Sequence, residues 1–347
     1  MLEPAAPDPF PTPEHPRDAL KTPLIARYFH HYITTIAPWY DLSDGALAFT
    51  TKLPETALDT PLPFAAIIAV AAVHTSQTTA PSAKPAAEFY HGHCVRLLTE
   101  LTDDVGDGSS ADGFVLSSVC LLRSYEILSE EVDPNRHLRG AYSLAAYRNP
   151  VTDHQASGFR AAGFWNYLRE DITFSLFQRC PLKMDLEQVP PPTRHDTDQG
   201  YLNTVSLILG RVINACFAGP VTTEEWRLLL GMLRDWISHL PARFRPYLRE
   251  DRGLSLALPS VWMLQDCHDC ASEMRAFIDG SMEQNATKED VLENLALEIC
   301  GAAFTSNNPS VIINAFGPMA FCARFIRGEA SRQEVVRRAM ACKRTTG

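Results

Sequence analysis

Gly158–Leu186, GFRAAGFWNYLREDITFSLFQRCPLKMDL, is the stretch whose reading decides the fold. Trp165, Leu168, Ile172 and Leu176 recur at helical spacing and form one apolar seam. Phe159, Phe164, Phe174 and Phe177 lie off that seam, so the helix is apolar on most sides, as befits a helix at the centre of a bundle. Arg169, Glu170 and Asp171 interrupt it, and an unpartnered charge there would cost on the order of a few kcal/mol. These three must find partners inside the protein or line something wet. Pro181 closes the helix, because it has no N–H to continue the ladder.

Outward from this stretch the chain reads as helix after helix. LIARYFHHYITTIAPWYD stops near Pro38, and PFAAIIAVAAVHTS, AAEFYHGHCVRLLTEL, FVLSSVCLLRSYEIL and HLRGAYSLAAY follow. Past the central helix, VPPPTRHDTDQG (189–200) is an internal linker, and YLNTVSLILGRVINACF and EEWRLLLGMLRDWISHL are both amphipathic. PARFRPYL (241–248) reads as a loop, and a helix beginning at Val261 leads into the last helices. No alternating period-2 run is strong enough to predict a strand. The expected architecture is all-α, about twelve helices in one domain over 24–347. Seven prolines within residues 1–23 preclude regular structure there and predict a tail.

At 347 residues and 46% hydrophobic, the chain has material for a sizeable core. A formal net charge of −10 argues against a nucleic-acid surface, which needs clustered Lys and Arg. The one basic excess, Arg332, Arg337, Arg338, Lys343 and Arg344, reads as a solvated final helix. The apolar run Phe64–Val73 is too short to span a bilayer, so no membrane partner is expected. Nine cysteines without framework spacing and a start, MLEPAAPDPF, lacking a secretory pattern predict an intracellular protein, cytoplasmic or nuclear.

Motifs for chemistry are weak. Cys267-His-Asp-Cys270 lacks a second pair for zinc and reads as buried thiols, so no metal site is expected. Asp103-Asp104-Val105-Gly106-Asp107 spells DDxxD, but it sits among glycines and serines with no second metal motif downstream. His91 and His93, two apart, do not share a helix face. No standard hydrolase or nucleotide signature is present, and no cofactor is expected. What remains is polar residues embedded in apolar helices: Tyr125, Glu126, His137, Arg139, Arg169, Asp171, Asp266 and His268. They form either a buried ion-pair network, for example Arg169 or Arg139 with Asp171 or Glu126, or the lining of a small-molecule cavity.

A resemblance bears on that choice. Tyr125-Glu126, His137-Leu138-Arg139-Gly140-Ala141, Phe164-Trp165, Leu168-Arg169, Asp171-Ile172 and Pro181-Leu182 follow the order and spacing of the fungal-specific transcription factor domain. That domain is the helical regulatory region of Zn2Cys6 regulators. The APWYD turn (37–41) and the FRP turn (244–246) also resemble it, so the similarity is expected to run from about residue 25 to about residue 345. The resemblance implies metabolite sensing or dimerisation. No cysteine precedes Cys94 and none cluster, so the zinc module that contacts DNA is not found in this sequence.

Two functions follow. The first is a cofactor-free cyclase or isomerase of fungal secondary metabolism, for instance a pericyclase closing a ring by [4+2] addition, which needs only shape and a few hydrogen bonds. Its candidate catalytic residues are Arg169, His268 and Tyr125. Trp165, Tyr167, Asp171, Arg139, Trp262 and Asp266 would bind an apolar metabolite. The alternative is a transcriptional co-regulator, acting by metabolite sensing, as a homodimer or paired with a Zn2Cys6 factor.

Overall fold

The computed structural model describes residues 9–103, 111–129, 159–187, 189, 197–250, 257–279, 288–306 and 308–347. The long helices are α1 (Pro23–His31), α2 (Pro61–Thr78), α3 (Lys84–Asp103), α4 (Ala111–Ser129), α5 (Phe159–Gln178), α6 (Asp198–Ala218) and α7 (Thr223–Ser238). After them come α8 (Asp266–Asp279), α9 (Lys288–Thr305), α10 (Pro309–Ala323) and α11 (Glu329–Thr346). The architecture is all-α.

Burial explains the order of packing. In α2 every residue from Leu62 to His74 is buried, the state expected of a helix apolar all round. Its alanines at 65, 66, 69, 71 and 72 let α3 and α4 approach closely. Helix α5 packs against α4 on one side and α6 and α10 on others, so it is central as its sequence predicts. It ends at Gln178, and Arg179 turns the chain out through a left-handed φ of 53° before Pro181. A second, smaller core joins α9, α10 and α11 through Leu297, Cys300, Phe304, Met319 and Val335. Helix α6 is long and apolar enough to cross a membrane by length and composition, but its central residues from Leu202 to Gly210 are buried in the bundle.

The structure departs from the sequence reading in four places. Residues 9–23, expected to lack regular structure, include a helical turn, Pro16–Ala19, with Pro16 in its first turn and Ala19 buried, and Tyr90 Oη–H donates to the Pro11 carbonyl at 2.6 Å. The first helix does not stop near Pro38. A π-helical turn, Tyr32–Ile36, carries it into the short helix Ala37–Asp41, where Pro38 occupies the first turn and its missing N–H has no partner to lose. A small antiparallel hairpin is present, β1 (Leu248–Glu250) with β2 (Ser260–Trp262), Leu248 facing Trp262. Three-residue strands are too short to show alternation, and this pair is held by tertiary packing instead. Val261 N–H donates to Thr305 Oγ1 at 3.1 Å, and a Cβ on Gly301 would stand 2.4 Å from the Pro259 carbonyl, so β2 lies directly on α9. For the same reason α8 begins at Asp266 rather than at Val261.

Of the linker 189–200, Val189 and residues 197–200 are described. The Thr197 hydroxyl accepts from Gly200 N–H at 3.2 Å and caps α6.

Candidate functional site

The polar residues inside α5 form a clamp. The short helix Ala37–Asp41 leaves carbonyls at its end without helical partners. Asn166 Nδ2 donates to the Tyr40 carbonyl at 3.0 Å, and Asn314 Nδ2 donates to the Trp39 carbonyl at 2.9 Å. Arg169 bridges the two amides, donating from Nε to Asn314 Oδ1 at 2.9 Å and from Nη2 to Asn166 Oδ1 at 2.7 Å. Burial lowers the Arg169 pKa to about 10, which leaves it charged at neutral pH. Arg169 therefore pairs with two neutral amides, not with Asp171 or Glu126. Among the described residues the ion pair of this region is Arg123 Nε with Glu170 Oε2 at 3.0 Å, linking α4 to α5.

Asp171, buried completely, accepts from Met184 N–H at 2.9 Å and pins the exit after Pro181. Trp165 and Tyr167 are buried in the main core, with Trp165 edge-on to Phe164. Tyr125 stacks on His91, ring centres 4.2 Å apart. His268 is fully buried, donates from Nε2 to Asp198 Oδ2 at 2.9 Å and lies 4.0 Å from the Phe244 ring. Arg243 shares that same carboxylate. Arg169, His268 and Tyr125 are thus engaged with three separate sets of partners. Arg139 and His137 lie outside the described residues, as does the DDxxD run beyond Asp103.

Trp262 and Asp266 meet elsewhere. The connection Val261–Asp266, together with Asp269, Thr305 and Ser306, lines a partly open cavity of about 170 Å³. Asp266 accepts from Asn308 Nδ2 at 2.5 Å; burial raises its pKa, and the hydrogen bonds from Asn308 and Ser306 oppose the rise. Asp269, one turn on, is 5% exposed, and its Oδ1 has no hydrogen-bond partner among the described residues. Burial, reinforced by the neighbouring Asp266 carboxylate, pushes Asp269 up to about 7. Glu273 follows at 1% exposure with both oxygens unpartnered among the described residues, and burial drives its pKa well above the carboxylate range. Asp266, Asp269 and Glu273 stand at i, i+3 and i+7, one face of α8. Trp262 and Asp266 are among the residues that the sequence singles out; Asp269 and Glu273 are not, although their spacing from Asp266 is helical.

The CxxC thiols are buried. Cys270 Sγ points at the Val311 carbonyl, and burial raises both thiols, Cys267 to about 12. No group of three His, Cys, Asp or Glu side chains among the described residues is arranged to hold a metal ion.

The model of the fungal specific transcription factor domain matches residues 27–218, more than half of the chain. The protein belongs to that family. The matched stretch holds the whole Asn166–Arg169 half of the clamp and ends with α6, short of the residue 345 that the resemblance had suggested; the cavity beside Trp262 lies wholly beyond it. No curated protein and no solved structure matches the chain.

Proposed function

We propose that this chain is a ligand-responsive regulatory domain that controls transcription through a DNA-binding partner or module and does not itself touch DNA. Family membership carries the reading. The net charge of −10 supports it, since phosphate contact needs a basic surface, and so does the scatter of the nine cysteines, which supplies no zinc cluster within these residues. The expected ligand is a small metabolite, and the expected partner a Zn2Cys6 factor or a second copy of the chain. A nuclear location fits that role.

Ring closure by shape alone, the other reading open to the sequence, asks for an enclosed apolar chamber onto which Arg169, His268 and Tyr125 converge. Those side chains are engaged with Asn166 and Asn314, with Asp198, and with His91. The cavity beside Trp262, about 170 Å³, is below the roughly 300 Å³ at which pockets for drug-sized ligands begin.

Deletion of the gene separates the two. The regulatory reading expects a set of transcripts to change together. Unchanged transcripts with accumulation of one late metabolic intermediate would overturn it in favour of an enzyme.

A further inference from the structure

We infer that the C-terminal ends of α5 and α10 form a docking face for a short acidic segment of a partner protein. Phe177 and Phe316 take its apolar side chains, and Arg179 and Arg324 its carboxylates. The inference rests on the reading that the chain works through a partner, and it names the chemistry of that contact.

The two helices run side by side in the same direction. Arg169 on α5 meets Asn314 on α10, and one turn later a Cβ on Gly317 would stand 2.6 Å from Thr173 Oγ1. Beside that close approach Phe177 is 53% exposed and Phe316 is 43% exposed, their ring centres 6.0 Å apart. Single exposed apolar residues are ordinary, whereas two adjoining phenylalanines from helices far apart in sequence make a patch.

The same end carries two exposed arginines. Arg179 leaves α5 with its left-handed φ, Arg324 follows the last residue of α10, and the charge of the first bears on the second. The Arg324 guanidinium carbon lies 3.6 Å from the centre of the Phe321 ring and 4.9 Å from that of Phe325. Stacking of this kind orients the guanidinium plane and leaves its N–H donors at the edge. Among the described residues neither arginine has an ion-pair partner, and no carboxylate is among the charges acting on Arg324. The arginines that follow it are paired: Arg327 with Asp290 and Glu293, Arg332 with Glu329, and Arg337 with Glu334.

Helix dipoles offset part of this charge. The ends of α5 and α10 bring about half a negative charge each against two full positive ones, so a net positive charge remains beside the phenylalanines. It stands out on a chain whose formal charge is −10.

These features select the occupant. A second copy docked face to face would set Arg179 and Arg324 against the same two cations. Two half-exposed phenylalanines offer on the order of 200 Å² of apolar surface, well short of the roughly 800 Å² that each partner of a standard interface covers. An anionic membrane would repel the rest of so acidic a protein. A short segment that alternates carboxylates with apolar side chains matches both the charge and the area. Aromatic side chains and arginine are also the residues on which binding energy concentrates at interfaces.

The test is fluorescence anisotropy of a labelled peptide, Asp-Asp-Phe-Asp-Asp-Leu-Phe-Asp, titrated with the purified full-length chain. Saturable binding is expected, weakening as sodium chloride is raised, and about tenfold weaker or more for the analogue with Lys in place of Asp. Arg324→Glu is expected to weaken binding about tenfold, and Phe177→Ser and Phe316→Ser several-fold each. These positions are exposed, so the variants should fold, and Val336→Ser on α11, exposed outside this face, should bind as the parent does. No saturable binding by the parent, equal binding of the lysine analogue, full binding by folded Arg324→Glu, or an equal loss in Val336→Ser overturns the proposal. So does a face that serves something else: sedimentation with phosphatidylserine vesicles, or dimerisation of the chain, abolished by Arg324→Glu while the peptide goes unbound. Transcripts that answer to gene deletion while the parent binds no acidic peptide sink this face alone. Peptide binding with transcripts indifferent to deletion sinks the regulatory reading and leaves the face standing.

Discussion

Arg169 on α5 donates to Asn314 on α10 at 2.9 Å, across 145 residues of sequence. The same Asn314 holds the Trp39 carbonyl, so three segments close on one amide. Two of the motifs by which the sequence resembles the family, the APWYD turn and the Leu168-Arg169 pair, are thereby joined for an architectural reason.

Replacing Asn314 tests the strength of that junction. Asn314→Ala leaves the buried Arg169 Nε and the Trp39 carbonyl without their partner, and is expected to cost about 2–4 kcal/mol. Urea unfolding should show the midpoint fall by a corresponding amount. Asn314→Leu combined with Arg169→Met removes the buried charge as well and should recover part of the loss. An unchanged midpoint for the single variant would show the clamp to be dispensable.

Asp269 predicts a pH dependence of stability. Its folded pKa, about 7, lies above the ordinary 3.8, so the folded state holds a proton that the unfolded chain releases. Its contribution is greatest at low pH and is lost as pH rises from about 3.8 through 7. Relative to the parent, Asp269→Asn should therefore gain stability steadily between pH 4.5 and pH 8. Parallel curves for the two proteins would show that Asp269 titrates normally.

His74 runs the other way. His31 Nε2 meets its Nδ1 at 2.9 Å, and His74 Nε2 donates to the Thr345 carbonyl in α11 at 3.1 Å. Burial, with a smaller push from His31, lowers its pKa from 6.5 to about 4. The neutral ring is the folded form, so this contribution is present above 6.5 and lost as pH falls towards 4. His74→Gln should flatten the acid side of the stability profile, read as unfolding midpoints at pH 7 and pH 4.5 against the parent.

Gly301 predicts a steric effect beside the cavity. A Cβ there would meet the Pro259 carbonyl, part of the backbone, so the strand must shift off α9. Gly301→Ala is expected to cost about 1–3 kcal/mol and to change the tryptophan emission spectrum, to which Trp262 is one of five contributors. A variant as stable as the parent with the same spectrum would mean that the strand gives way freely.

Thiol reactivity checks the burial of the CxxC. Cys216 is exposed, Cys180 and Cys342 are half-buried, and Cys267 and Cys270 are buried with raised pKa values. A disulfide reagent added to the folded chain should label Cys216 first, and reach Cys267 and Cys270 only on unfolding. Rapid native labelling of Cys267 would argue for an open first turn of α8.

The central helix was legible because its signal is local. Trp165, Leu168, Ile172 and Leu176 repeat within a few residues, and burial follows periodicity wherever one element faces one core. The same holds for α2, whose apolar run cannot be anything but buried. Pro38, read as a stop, shows where local rules fail: a π-helical turn before it moves the missing donor to a harmless position. The hairpin Leu248–Glu250 with Ser260–Trp262 escaped for a related reason, since Gly301 and Thr305 on α9 hold a strand too short to specify itself.

Of the candidate site, the amino-acid sequence alone identified which side chains were too polar for their surroundings: Arg169, Asp171, Asp266 and His268. It did not determine their partners. Helix crossing, which depends on side-chain volumes summed over the whole core, set Asn166 and Asn314 beside Arg169, Asp198 beside His268, and, among the described residues, no hydrogen-bond donor beside Asp269 Oδ1. Periodicity fixes which face of a helix is buried, whereas only the tertiary arrangement decides what that face meets.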